Sequence, residues 1–145
     1  GRITRELERT ANPPQNVKLD SISEAFIEVI HRREPEFKVS LVGSSPQEIP
    51  FQAVAAIVEG TLLAATNSMA HAPRATQRKV NIRLSQRGIK VVVSDNGSGF
   101  RMSNVHKTAL GVRWTIFKRL ESHGVKARLD SKPGAGTTWV FEWHA

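Results

Sequence analysis

The sequence predicts an α+β two-layer sandwich, with helices covering one face of a sheet. Three observations lead there. Apolar alternations of period two come in close pairs joined by short turns, which implies antiparallel hairpins. A long helix with one apolar stripe and two shorter helices are interspersed with them. The hairpins also argue against an all-parallel sheet, so the layers are helix on sheet. The 145 residues suit one domain, since about 150 is the usual length per domain.

In chain order, residues 1–16 read as a linker or as the tail of a preceding helical domain. Ile3 and Leu7 lie one helical turn apart, and Ala11-Asn12-Pro13-Pro14 breaks the chain. A frayed terminus fits this segment equally well. The folded domain is expected over 17–145. Ser21 and Glu24 match a capping box, followed by Ile22, Phe26, Val29 and Ile30 at helical spacing. That helix should end near Arg33, ahead of Pro35. Phe37, Val39 and Leu41 alternate as a strand, and 43–46 is a loop.

The strongest helix is predicted from Phe51 to His71. Its stripe is Phe51, Val54, Val58, Leu62, Ala65 and Met69, and Pro73 ends it. Val80, Ile82 and Leu84 form a strand that turns through Gln86-Arg87-Gly88 into a second one at 89–93. A glycine-rich loop, Asp95-Asn96-Gly97-Ser98-Gly99-Phe100, follows. Another helix runs from about Leu110 to Ser122 and stops at Gly124. A strand over 125–129 turns through Lys132-Pro133-Gly134-Ala135-Gly136 into a last strand. There Trp139, Phe141 and Trp143 share one face.

Composition narrows the class. Hydrophobic residues make 39% and charged residues 23% of the chain, a globular balance. With no cysteine there is neither a disulfide framework nor a thiolate metal site. No continuous apolar run approaches the ~18 residues of a membrane span. A cytoplasmic setting without membrane contact is expected for this segment, and a membrane-anchored parent is left open. Lys plus Arg number 21 against 13 Asp plus Glu, a net +8 that favours polyanionic partners. Nucleic acid is not favoured among them. Aromatics are 6% and Tyr is absent, whereas single-strand binders interleave stacking rings with basic residues.

The glycine loop fails two common nucleotide motifs. A dinucleotide fingerprint G-x-G-x-x-G fits Gly97 and Gly99 but has Met102 at its third position. A G-x-x-x-x-G-K-[ST] loop is absent. Three other motifs, in order, resemble the GHKL ATPase superfamily. Its members include histidine kinases, anti-sigma-factor kinases, gyrase-type topoisomerases, mismatch-repair ATPases and a heat-shock chaperone. Asn67 on the long helix, with His71 one turn later, matches the N box. Asp95, Gly97 and Gly99 match the D-x-G-x-G box. Gly134, Gly136 and Thr137 match the glycine–threonine turn. Ala109-Leu110-Gly111-Val112 resembles a further glycine motif after the lid. Within the superfamily the chain is most similar to the ATP-binding catalytic domain of bacterial two-component sensor histidine kinases. The closest group is the one that pairs with helix-turn-helix response regulators. The similarity runs over about 17–143, with 101–108 as the short lid of that group.

The resemblance implies a mixed, mostly antiparallel sheet with helices on one face, and a site for ATP and Mg²⁺. Asp95 would accept from the exocyclic amine of adenine, while guanine would present a carbonyl and be repelled. Gly97 and Gly99 would permit close approach and positive φ. Phe100, Leu110, Gly111 and Gly136 would line the nucleotide, and Thr137 would support the Asp–adenine contact, often through water. Asn67 would complete an octahedral Mg²⁺ site with its amide oxygen. His71 would reach a phosphate or cap its helix. Gly111 would open a helix whose amides hold phosphate oxygens. Arg101, His106, Lys107 and Arg113 are cations available to the phosphates. Implied partners are ATP or ADP, a phosphoacceptor dimerisation domain and a response-regulator receiver.

Two departures bear on catalysis. The superfamily's N box carries a Glu four residues before the Asn, and this chain has Leu63 there. Glu59 lies a further turn back, ~12 Å from Asn67 along the helix axis, too far to share one metal site. Ala109 replaces the first glycine after the lid. No histidine stands in a phosphoacceptor context. The expected function is therefore the ATP-binding domain of a sensor histidine kinase with low or altered activity. The alternatives are a nucleotide-gated interaction module of the same fold and an anti-sigma-factor serine kinase.

Overall fold

Alternation of period two sorts the strand side chains into an inner and an outer face. The computed structural model describes residues 15–102 and 107–145, with side chains from 115 onward in the second segment. Ten elements follow one another: β1 (Asn16–Lys18), α1 (Leu19–Arg33), β2 (Lys38–Val42), β3 (Glu48–Pro50), α2 (Phe51–His71), β4 (Arg78–Ser85), β5 (Gly88–Asp95), α3 (Lys107–Ser122), β6 (Val125–Ser131) and β7 (Thr137–His144). The main sheet has the order β2-β4-β5-β7-β6. Among the described residues, β2 and β4 of this sheet pair in parallel, joined by the α2 crossover, and its other three pairings are antiparallel. The sheet is mixed and mostly antiparallel, the fold the sequence implies.

The register builds the inner face in rows across β4, β5, β7 and β6. Leu84, Ile89, Trp143 and Val125 form one row; Ile82, Val91, Phe141 and Ala127 the next; Val80, Val93, Trp139 and Leu129 the third. Helices α1, α2 and α3 cover them. Leu120 of α3 is fully buried, and Phe117 stacks on Trp139 at 5.7 Å between ring centroids. Each large side chain buried this way contributes about 1.5–3 kcal/mol. The outer face carries Lys38, Lys79, Arg83, Lys126 and Arg128, all exposed, so much of the positive charge lies across the sheet from the core.

Helix α2 has the predicted ends, but its buried face differs from the predicted stripe. Ala53, Ala56, Ile57, Gly60, Thr61, Ala64, Ala65 and Ser68 are buried, while Phe51 is 37% exposed and Val54, Val58, Leu62 and Met69 are half-buried. The cause is close approach. A methyl group at Gly60 would stand 3.1 Å from the Phe141 ring, so the face against the sheet must be small, and the larger residues flank it. By length and mean hydropathy α2 is also apolar enough to cross a membrane, contrary to the expectation from continuous runs; here it lies on the sheet.

Three further corrections are local. Helix α1 begins at Leu19, so Ser21 sits inside it and makes no cap; Lys18 holds the N-cap position without a side-chain bond. Asp20 instead accepts from the Ser45 backbone N–H at 2.8 Å and ties down the β2–β3 loop. Val29 is 40% exposed rather than in the core. A small antiparallel sheet of β1 and β3, which sequence patterning did not show, brings Val17 opposite Ile49.

Candidate functional site

The fourth row of the inner face is polar. Arg78 pairs in register with Asp95, Asp95 with Thr137, and Thr137 with Ser131. Directly opposed residues put their side chains on the same face about 5 Å apart. Three apolar rows therefore end in one row of an arginine, a carboxylate and two hydroxyls, at the end of the sheet beside the C-terminus of α2.

Asp95 is half-buried and its oxygens have different partners. Oδ1 accepts from the Gly97 backbone N–H at 2.9 Å, an Asx turn that orients the carboxylate. Oδ2 has no hydrogen-bond partner among the described residues. The carboxylate thus belongs to the turn and still offers a fixed acceptor to a ligand. Gly97 departs from the expectation of positive φ. A Cβ there would lie 2.5 Å from the Ala72 Cβ, so glycine is required by the approach of the α2 end.

Gly99 and Gly136 do have positive φ, 65° and 74°. A Cβ at Gly99 would stand 2.1 Å from the Lys132 carbonyl oxygen, and one at Gly136 2.1 Å from that of Asp95. The 95–100 loop and the 132–136 turn are packed backbone to backbone, and the Gly134 N–H donates to the Ser98 carbonyl at 2.7 Å. Gly134, at φ 79°, has nothing within 4 Å of a Cβ position. Gly136→Ala is therefore expected to destabilise by about 3 kcal/mol, as strain plus a clash at a packed site. Gly134→Ala, with strain alone, should cost about 1 kcal/mol. Urea unfolding of both variants measures the difference.

Ser131 joins these parts and was not singled out from sequence. It is 5% exposed. Its hydroxyl accepts from the Phe100 N–H at 2.9 Å, donates to the Gly136 carbonyl at 3.0 Å, and lies 2.9 Å from Thr137 Oγ1. Arg78 was missed too. Its guanidinium donates to the Ala72 and Ala75 carbonyls at 2.6 and 3.0 Å, closing the end of α2. Its Nε is buried without a partner among the described residues. Extending the alternations Leu84-Ile82-Val80 and Val125-Ala127-Leu129 by two residues reaches both positions, and that was the available signal.

On α2, Asn67 is half-buried and its Nδ2 has no hydrogen-bond partner among the described residues. Oxygen and nitrogen of an amide are assigned from partners, so the group as a whole is uncommitted. His71 is exposed in the last turn. The carbonyl of the residue after that turn is taken by Arg78. Asn96 accepts from the Thr76 and Gln77 N–H groups, each at 2.9 Å, and holds the segment after α2 against the glycine loop.

Leu63 lines an open pocket of about 520 Å³ with Leu62, Thr66 and Ile116, bounded by Arg33, Glu34 and Glu59. Both carboxylates are engaged: Glu34 accepts from the Thr66 hydroxyl at 3.3 Å, and Glu59 pairs with Arg119 of α3 at 3.1 Å. Glu59 therefore ties α2 to α3. Helix α3 starts at Lys107, three residues before the predicted start, so Gly111 falls in its second turn rather than opening it. The side chains of Lys107, Leu110 and Arg113 lie outside the described residues, as does His106 entirely. Arg101 is exposed. Among the described residues no group of three or more His, Asp or Glu side chains could hold a metal ion.

The sequence profile described as histidine kinase-, DNA gyrase B-, and HSP90-like ATPase matches residues 57–145. No curated protein matches the chain in sequence. Among solved structures, the ATP-binding domain of PrrB from Mycobacterium tuberculosis superposes with a TM-score of 0.62 at 22% identity, over 91% of this chain and 98% of that one. The blue-light-activated histidine kinase EL346 of Erythrobacter litoralis gives 0.59 at 18% identity, over 86% of this chain and 41% of that one. The histidine kinase AdeS of Acinetobacter baumannii gives 0.58 at 13% identity, over 89% and 66%. At such identities the likeness is one of fold, and this chain spans under half of the EL346 chain.

Proposed function

This chain belongs to the family of histidine kinase-, DNA gyrase B- and HSP90-like ATPases, and from that premise we propose that it is the ATP-binding catalytic domain of a sensor histidine kinase. It binds Mg-ATP and presents the γ-phosphoryl to a histidine on a separate dimerisation domain, from which a response-regulator aspartate takes it. The observation that carries this reading is the half-buried Asp95, one oxygen fixed by Gly97 and the other open. A carboxylate so placed accepts from the exocyclic amine of adenine, and Thr137 beside it in register supports the same edge.

The uncommitted Asn67 amide suits a Mg²⁺ ion, which takes oxygen donors and keeps several waters. Asn67 holds it with its amide oxygen, and the ion, when bound, offsets phosphate charge. His71, with its side chain exposed one turn later, serves a phosphate oxygen, as do Lys107 and the free amides of the first turn of α3, ahead of Gly111. Catalysis here is positioning and charge neutralisation. Asn67→Ala is expected to leave ADP binding without its Mg²⁺ dependence, shown by equal affinities in Mg²⁺ and in EDTA. A dependence as large as wild type contradicts the assignment.

A second reading is favoured by Leu63. With no carboxylate there and Glu34 and Glu59 both engaged, a nucleotide-gated interaction module of low turnover fits the same pocket. Phosphotransfer from ATP to acceptor helices supplied in trans separates the two. Acid-labile phosphate on histidine supports the kinase, acid-stable phosphate on serine an anti-sigma-factor-type kinase, and no transfer with ATP bound the module.

A further inference from the structure

We propose that Ser131 is a positioning residue that sets the purine preference of the site by fixing the direction of the Thr137 hydroxyl. The inference rests on the nucleotide reading above and deepens it. A serine hydroxyl has one proton to donate and two lone pairs to accept with. At Ser131 two of the three are assigned by partners whose roles are unambiguous. The Gly136 carbonyl can only accept, so it takes the serine proton. The Phe100 N–H can only donate, so it occupies one lone pair. What remains for Thr137, 2.9 Å away, is the second lone pair. In the arrangement that satisfies every partner, Thr137 donates its proton to Ser131.

The consequence lies on the other side of Thr137. With its proton committed inward, its oxygen offers lone pairs only. Asp95, opposite it in register, also offers lone pairs only. That end of the site is then a pair of acceptors, directly or through a bridging water. It suits an exocyclic amine and opposes a carbonyl, because a buried acceptor facing an acceptor leaves both unpaired. Without Ser131 the Thr137 hydroxyl rotates freely and can donate to a carbonyl. Ser131 touches no ligand itself; it acts through Thr137. The Phe100 bond further couples this setting to the end of the 95–100 loop.

The test compares ADP with inosine diphosphate, which carries a carbonyl in place of the adenine amine, on the whole 145-residue chain by calorimetry. Wild type is expected to prefer ADP. Ser131→Ala is expected to narrow that preference roughly tenfold, the worth of one neutral hydrogen bond. Thr137→Val removes the group through which Ser131 acts, so adding Ser131→Ala to it should leave the preference unchanged. Equal weakening of both ligands in Ser131→Ala, or a further change in the double variant, overturns the proposal. Should Ser131→Ala fail to fold, the wild-type chain still decides. Its Thr137 hydroxyl proton is expected as a slowly exchanging resonance with an Overhauser contact to the Ser131 β protons, and a hydroxyl in fast exchange overturns the proposal. Absence of ADP binding to wild type would overturn the nucleotide reading and this inference together; intact binding with an unmoved preference overturns only the role of Ser131.

Discussion

Leu63→Glu is expected to raise phosphotransfer to acceptor helices by about 10²–10⁴-fold, the usual worth of a positioned general base. Leu63 is half-buried one turn before Asn67 on α2, and its side chain lines the pocket with Thr66 and Ile116. On the kinase reading, a carboxylate at this position, four residues before Asn67 on the same helix, would be placed to serve as that base. Neither existing carboxylate substitutes, since Glu34 is bonded to Thr66 and Glu59 to Arg119. The variant adds a third acid to a pocket that already holds these two, so its melting temperature must be checked alongside. The measurement is the initial rate of phosphoryl transfer from ATP in trans. Fast transfer by the wild-type chain, unchanged in the variant, would show that Leu63 costs nothing.

Asp95→Ala is expected to weaken ADP by about 100-fold while the domain stays folded. The lost contact is a hydrogen bond to an ionised acceptor, worth about 1.5–3 kcal/mol, and the adenine amine is left facing an apolar surface. The same change removes the bond to the Gly97 N–H, loosening the loop that Gly136 packs against. Asp95→Asn separates the two effects: its amide oxygen can keep the turn while its amide nitrogen meets the purine amine donor to donor. Calorimetric titration of ADP into the three proteins measures both. Affinities within a factor of two of one another would remove Asp95 from the site.

How far the sequence carries can be seen element by element. Both ends of α2 were legible because the helical period is long and Pro73 stops it. Its buried face was not, because the stripe follows large apolar residues, whereas contact with the sheet selects small ones at Ala53, Ala56, Gly60 and Ala64. The hairpins β4–β5 and β6–β7 were legible from alternation. The pairing of β1 with β3 was not, since three residues on each side, some thirty apart, carry no period. Among the candidate site residues, Asp95, Asn67 and the glycines were singled out through motif resemblance. The reason for Gly97 was not, because the approach of Ala72 exists only after folding. Ser131 and Arg78 carry no motif, and their role follows from the register of four strands.

The central claim is that the polar row at the end of the sheet binds an adenine nucleotide. Thermal unfolding of the chain with Mg-ADP tests it most directly. Ligand at 100 times its dissociation constant stabilises by about 2.7 kcal/mol. For a domain of this size that raises the melting temperature by roughly 5–10 °C. The account predicts such a rise in wild type and its loss in Asp95→Ala. An unchanged melting temperature in wild type with nucleotide in excess, or an equal rise in both proteins, would contradict it.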